Sequence, residues 1–469
     1  MPRPSLAVPL AALAVLACAA ACTKLAELAG APDRSAASIT VHIARDSLFL
    51  GDTLQIGADV NSKDGRPAWT DTTVTWQSSN PNVVAIDASN PPPGPHNFAR
   101  LIAKSPGQAT ISATTAGIDS SRVMTVYGPI IIADNDTRLG YALADQPSVA
   151  GPYSPDPANR FNSGGGSITI TRDSAGWYNV RFVGLARSGG PSGGRDNVQV
   201  TAFGSPAGVF CKLRGWTNDG ADRLVPVHCH RADGTATDSR FTILLAGARA
   251  FDLTMPLAFV LLPPQPSGFA VLDTSQTAFN SVSAHIQVNR VAAGSYSIGF
   301  PGLSQPNAPV TILTSAVSAS TEHCQTSAYN LSGGGLAALC ANTAGVPADA
   351  RPDILWFTRG RAGHRYGYVT THSIVAQIPP VDPVFTFNSS GGAVTMRRLA
   401  VGQWTATFAG LGRPAGGTEI VLVSPFTGPD HLCTIVSWVT AGSDLTATVQ
   451  CFNAAGAPVD GQFNLAVIE

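Results

Sequence analysis

Charge is scarce in this sequence. Asp, Glu, Lys and Arg make up 13% of the 469 residues, about half the usual share. The 29 basic side chains are balanced by 30 acidic ones, the net charge is −1, and the basic residues form no stripe. Nucleic-acid binding by phosphate neutralisation has no footprint here. Long apolar runs are also missing after residue 22. Residues 257–262 are apolar, but they run into Pro263-Pro264 and are far too few to span a bilayer. Gly (47) and Pro (35) are plentiful, Ser and Thr are abundant, and hydrophobic residues reach 44%. That mixture excludes global disorder and long helices. It predicts an all-β chain of short strands and turns, long enough for about three or four domains.

The first 22 residues differ from the rest. Arg3 supplies a positive start, residues 6–17 are an apolar stretch too short to cross a membrane, and small residues lead to Cys18 and Cys22. This resembles a bacterial lipoprotein signal, which implies cleavage before a cysteine that is then acylated. Val15-Leu16-Ala17-Cys18 fits that pattern better than Ala19-Ala20-Ala21-Cys22, so Cys18 is the expected lipid site and Cys22 the alternative. A plain secretory signal with incidental cysteines is the competing reading. Residues 23–37, small and polar, read as a tether.

Residues 38–127 alternate apolar and polar side chains between turn signals. Gly51-Asp52-Thr53-Leu54, Val74-Thr75-Trp76-Gln77-Ser78-Ser79-Asn80-Pro81-Asn82-Val83-Val84-Ala85 and Pro106-Gly107-Gln108-Ala109-Thr110-Ile111-Ser112-Ala113 follow in that order. The order resembles the group 2 bacterial immunoglobulin-like (BIG) domain, which implies an immunoglobulin-like β-sandwich. Pro91-Pro92-Pro93-Gly94-Pro95 departs from the family as a longer loop. Trp76, with Val74 on the same face, is the expected core anchor.

The remainder repeats three times, over 138–248, 256–358 and 366–469. Phe161-Asn162, Phe279-Asn280 and Phe387-Asn388 mark the register. Gly176, Gly294 and Gly402 follow at one constant spacing, and Gly184-Leu185, Gly302-Leu303 and Gly410-Leu411 at another. An aromatic residue (Tyr141, Phe259, Tyr368) precedes each marker. Six cysteines obey the same register, and an even number in an exported chain reads as disulfides. Fifteen pairings are possible. The repeat selects Cys211 with Cys229, Cys324 with Cys340, and Cys433 with Cys451. Each copy is long enough to close its own core, so three independently folding β-sandwich-like domains are expected. These copies are similar to repeats in uncharacterised exported bacterial proteins, a likeness that implies no activity.

Candidate chemistry is thin. Gly190-Pro191-Ser192-Gly193-Gly194 matches a nucleophile-elbow pattern without the strand-to-helix turn that the elbow needs, so a flexible loop is expected. His228 and His230 flank Cys229 and share one strand face, but no third zinc ligand is indicated, and surface histidines are expected. Asp134-Asn135-Asp136 lacks the Gly and Glu of a calcium loop and reads as a linking turn. Trp177, Trp216, Trp356, Trp404 and Trp438 are candidate sugar platforms, more simply read as core. Trp356 is the one without an aromatic counterpart in the first copy and the candidate for exposure. Asp238, Asp349 and Asp460 recur nine residues after each second cysteine and are expected to cap backbone N–H groups in a turn.

The reading is therefore an exported protein, lipid-anchored at the cell envelope or cell surface, with no catalytic site, no cofactor and no metal. Its expected partners are the membrane, through the anchor, and an unknown surface ligand, glycan or protein; nucleic acid is excluded. Its role is adhesive, ligand-binding or structural. The alternatives are a carbohydrate-binding module array serving a separate enzyme and, more remotely, a surface hydrolase using the Ser192 loop.

Overall fold

The alternation seen in the sequence is realised as strands in nearly every segment, and no α-helix occurs among the described residues. The computed structural model describes residues 34–469 apart from 44–45, 50–52, 69–71, 88–96, 128–135, 188–195, 205–207, 252–256, 265–267, 273–277, 283–284, 304–308, 331–333, 359–363, 373, 375 and 429–430. It divides into two units, Met1–Gly128 and Pro129–Glu469.

The first unit is a sandwich of two four-stranded sheets. One contains Ser38–His42, Thr53–Asn61, Asn97–Ala103 and Val84–Asp87; the other contains Ser47–Phe49, Ile118–Tyr127, Gly107–Thr115 and Thr75–Ser78. Ile56, Val84, Leu101 and Ile111 are buried between them. Trp76 is half-buried and packs against both apolar clusters of the sandwich, one of them beside Val74. It is the anchor that alternation predicts. The Pro91–Pro95 loop lies outside the described residues.

The second unit is all-β with three disulfide-stapled repeats. Each copy contributes two half-sheets. One is built on an inner strand: Asn197–Phe203, Thr311–Val317 or Ile420–Phe426. The other carries the cysteines: Val209–Leu213 with Asp222–Arg231, His323–Asn330 with Gly335–Ala341, and His431–Ala441 with Asp444–Asn453. The half-sheets of one copy do not join each other. Instead the cysteine half-sheet of each copy runs into the inner half-sheet of the next. The joints are single parallel pairs, Leu213 with Val317, Thr326 with Phe426, and Ile435 with Phe203. The third joint returns copy 3 to copy 1 and closes the circuit. At every joint the residue after the inner strand donates its N–H to the carbonyl of its partner: Ser318 to Leu213, Thr427 to Thr326, and Gly204 to Ile435.

The three inner strands meet on the axis of this circuit, where alternation alone would bury unpaired polar groups. Hydroxyls solve the problem cyclically. Thr201 Oγ1 donates to the Val423 carbonyl at 2.8 Å and accepts the Val423 N–H. Ser315 Oγ accepts the Val200 N–H at 3.0 Å. Ser424 Oγ accepts the Thr314 N–H at 3.1 Å and donates to the Thr314 carbonyl. Buried backbone groups left unpaired cost about 1–3 kcal/mol each, so this triad is what permits a polar axis. Beside it, Tyr141, Phe259, Phe279, Leu313, Phe357, Tyr368 and Leu422 form one apolar cluster drawn from all three copies. Each copy also has its own sandwich core.

This arrangement weighs against the expectation that every copy folds by itself. A single copy keeps one core, but it lacks the continuation of both half-sheets and exposes its share of the axial cluster. Residues 256–358 expressed alone are expected to associate or to remain molten, binding a hydrophobic dye. Residues 129–469 should unfold in one cooperative step. Sedimentation and urea unfolding check this, and a monomeric fragment with a sharp transition contradicts it.

Candidate functional site

Each cysteine pair sits directly opposite across two antiparallel strands. The bonds are Cys211–Cys229, Cys324–Cys340 and Cys433–Cys451, with Cα atoms 4.0, 4.1 and 4.0 Å apart. Behind each lies the repeated Gly-Asp element. Asp349 accepts the Gly294 N–H at 2.8 Å, the Tyr296 hydroxyl at 3.0 Å and a two-pronged contact from Arg290. Asp238 does the same for Gly176, Tyr178 and Arg172. Asp460 does so for Gly402 and Arg398. The capping role expected of these carboxylates is present, and a guanidinium clamp is added to it. The glycine must lack a side chain: its φ is +64° at Gly294, and a Cβ there would lie 2.3 Å from the Cys340 carbonyl oxygen. That closeness lets the Gly294 carbonyl accept the Cys340 N–H at 2.7 Å. The clamp therefore fixes the turn that fixes the disulfide strand. The Arg290 hydrogen bond, outweighing partial burial, holds Asp349 down to about 2. Arg398 likewise lowers Asp460. These carboxylates are occupied by the fold rather than poised for acid–base chemistry.

The aromatic residue five positions after each first cysteine spans a joint between copies. Trp216 shares a cluster with Leu261 and Val317 of copy 2. Tyr329 stacks on Phe426 of copy 3 at 4.7 Å, and Trp438 meets Phe203 of copy 1 at 4.9 Å. Trp356, the one candidate for exposure among tryptophans read as core, is fully buried, as is Trp404; Trp177 is half-buried under the Arg214 guanidinium. Trp356 packs edge-on to Phe300 inside the core of copy 2, a volume that Leu245 fills in copy 1. A cavity of about 40 Å³ lies where the copies meet, lined by Cys211, Cys324 and Cys433 with Thr201 and Ser315.

His228 and His230 share one face, as their spacing requires, but they are not surface residues. They are 6% and 0% exposed. Their face is covered because it adjoins the joint with copy 2. The two rings lie 3.9 Å apart, with Trp177 stacked on His228 at 3.5 Å and Phe210 next to His230. No group of three metal-ligating side chains occurs among the described residues. Ser192 and its loop, Cys18, Cys22, Asp134 and Asn135 lie outside the described residues. Asp136 pairs with Arg138, which also reaches the buried Asp196. Copy 3 repeats that pairing as Arg365 with Glu419. Sequence reasoning missed these pairs and the clamp arginines, although Arg172, Arg290 and Arg398 each stand four residues before the repeated glycine.

Asp349→Ala removes the acceptor for one guanidinium, one backbone N–H and the Tyr296 hydroxyl. It is expected to lower stability by about 1–3 kcal/mol in urea unfolding at neutral pH. Because the folded pKa is depressed, this contribution is complete above the ordinary carboxylate value of 3.8 and fades as the pH falls towards 2. An unchanged midpoint at neutral pH contradicts the clamp. Separately, Cys324→Ser with Cys340→Ser should cost about 3 kcal/mol, from the loop that the bond closes.

No family model matches the chain, and no curated protein matches it. Among solved structures, the matches include domains 5–6 of the S-layer protein SbsC, at 12% identity and a TM-score of 0.18, covering 45% of this chain and 90% of that one. Domains 4 and 5 of the same protein match at 11% identity and a TM-score of 0.16, covering 52% and 97%. At these scores nothing of that protein's fold or role carries over to this chain.

Proposed function

We propose that this chain is an exported, lipid-anchored protein of the bacterial envelope that acts without catalysis, as a structural spacer or a display body for a surface ligand. One observation carries the reading. In the second unit the recurring chemistry-bearing residues serve the scaffold: the cysteines staple hairpins, the aspartates hold turns, and the aromatics seal joints. Three disulfides point to an oxidising compartment, in line with the signal-like first 22 residues. The BIG-like motifs of residues 38–127 favour the cell surface, by analogy only. A sugar-binding array loses its main support, since Trp216, Trp356 and Trp404 are buried.

Two measurements test this. Cys18→Ser is expected to release the protein from membranes into the medium, because an acylated cysteine holds it by about 0.8 kcal/mol per buried CH₂. If only Cys22→Ser releases it, the anchor belongs at Cys22. If neither does, the chain is not lipid-anchored. Residues 129–469 on a glycan and matrix-protein array are expected to separate a spacer, which binds nothing, from a display body. Hydrolytic activity lost in Ser192→Ala contradicts the non-catalytic reading.

A further inference from the structure

Positions shared by all three copies build the fold, so a cluster found in one copy alone asks for another explanation. Copy 1 holds such a cluster on the outer face of its cysteine hairpin: His228 and His230 on one strand, Lys212 and Arg214 on the next. The same register carries Leu339 and Ala341 in copy 2 and Gln450 and Phe452 in copy 3 in place of the histidines. Gln325 and Ser327, or Thr434 and Val436, replace Lys212 and Arg214. The scaffold therefore closes without this pair of imidazoles and without these cations, although copy 2 carries a single histidine, His323, where copy 1 has Phe210.

The cluster lies on the joint between copies 1 and 2. Lys212, 1% exposed, donates from Nζ to the Ser318 carbonyl at 2.8 Å and to the Ser318 hydroxyl. Ser318 is also the residue whose N–H bonds the Leu213 carbonyl across that joint. Phe210, opposite His230, lies 5.0 Å from the His230 ring and 5.8 Å from that of His323 in copy 2. Neither nitrogen of His228 or His230 has a hydrogen-bond partner of good geometry, although the Gly234 backbone gives His230 a marginal one.

We propose that the His228–His230 pair is an acid-sensitive latch, whose protonation opens the copy 1–copy 2 joint and leaves the other two joints closed. The charged and titratable groups facing the pair are Lys212 and Arg214 from the neighbouring strand, and Glu322 and His323 from copy 2. Two imidazolium charges added here sit beside two fixed cations, with Glu322 as the facing anion. Burial, and then Lys212 and Arg214, bring His228 down to about 4. Burial, His228 and Lys212 bring His230 down to about 3. The sign follows from linkage. A histidine whose folded pKa is depressed below the ordinary 6.5 leaves the closed state intact at neutral pH and weakens it as pH falls below 6.5. Each ring can shift the closed-to-open ratio by up to about tenfold per pH unit across that window. Only one parallel backbone pair joins the strands here, and Lys212, which reinforces it through Ser318, lies beside the rings that gain charge.

Amide hydrogen exchange of the full chain from about pH 7 to 4, corrected for intrinsic rates, is the test. Protection of 209–213 and 311–317 is expected to fall on acidification, while 324–326 and 420–426 keep theirs. His228→Leu with His230→Ala, the residues of copy 2, should abolish the difference between joints. If that variant does not fold, His228→Gln with His230→Phe, the residues of copy 3, serves instead. Equal loss of protection at all three joints, or an unchanged acid response in the folded variant, overturns the latch. So does proton NMR titration of both rings near 6.5. None of these readouts depends on lipid anchoring or on ligand binding.

Discussion

The second unit depends on one kind of contact, the single parallel pair that passes a cysteine half-sheet to the inner strand of the next copy. A lone bridge between strands is weak, and each is reinforced from both sides. Outside, Trp216, Tyr329 or Trp438 packs across the joint. Inside, a Ser or Thr hydroxyl grips the backbone of a neighbouring inner strand. Because the third joint returns to the first copy, opening any one removes support from two half-sheets at once. The disulfides and the Arg-Asp-Gly clamps do not cross the joints. They stiffen each hairpin so that its outer strand arrives in register.

This division explains what the copies conserve among themselves and what they exchange freely. Residues that set the hairpin and the joint recur: the glycine, the aspartate, the arginine, the cysteines and the junction aromatic. Residues between them vary in size and polarity. The buried Arg138–Asp196 pair of copy 1 returns as Arg365–Glu419 in copy 3, while copy 2 carries Pro256 and Val310 at those positions. The repeat thus does not require the ion pair in every copy, as expected when desolvation nearly offsets Coulomb attraction.

Much of this was legible in the sequence. Alternation gave the strands, and the repeat register gave the disulfide pairing, because cysteines at constant spacing within a copy need only one local geometry. The capping role of Asp349 followed from a carboxylate placed after a turn glycine. What was not legible lay between copies. Alternation tells which side of a strand is apolar, but not whether the next strand in the sheet belongs to the same copy, so the pattern alone is satisfied by three separate sandwiches. The same blind spot misplaced His228 and His230, and left Trp356 as a candidate for exposure. Their burial comes from core volume and from a neighbouring copy, neither of which local pattern encodes. The hydroxyls of Thr201, Ser315 and Ser424 fill one register position, yet Ser and Thr are too common in this composition to stand out.

A closed circuit has no privileged beginning. The segment after Ala246 reaches Leu257 and the segment after Phe357 reaches Tyr366, both between equivalent strand ends. Symmetry sets Ile468 and Leu139 in the same relation, without a peptide connecting them. The closed circuit of joints does not by itself require this order of the copies along the chain. A circular permutant that joins Ile468 to Leu139 through a linker of similar length, and opens the chain in the 247–256 segment, should reach the same closed form. The same freedom allows one such body to be spliced into another chain at any of three places.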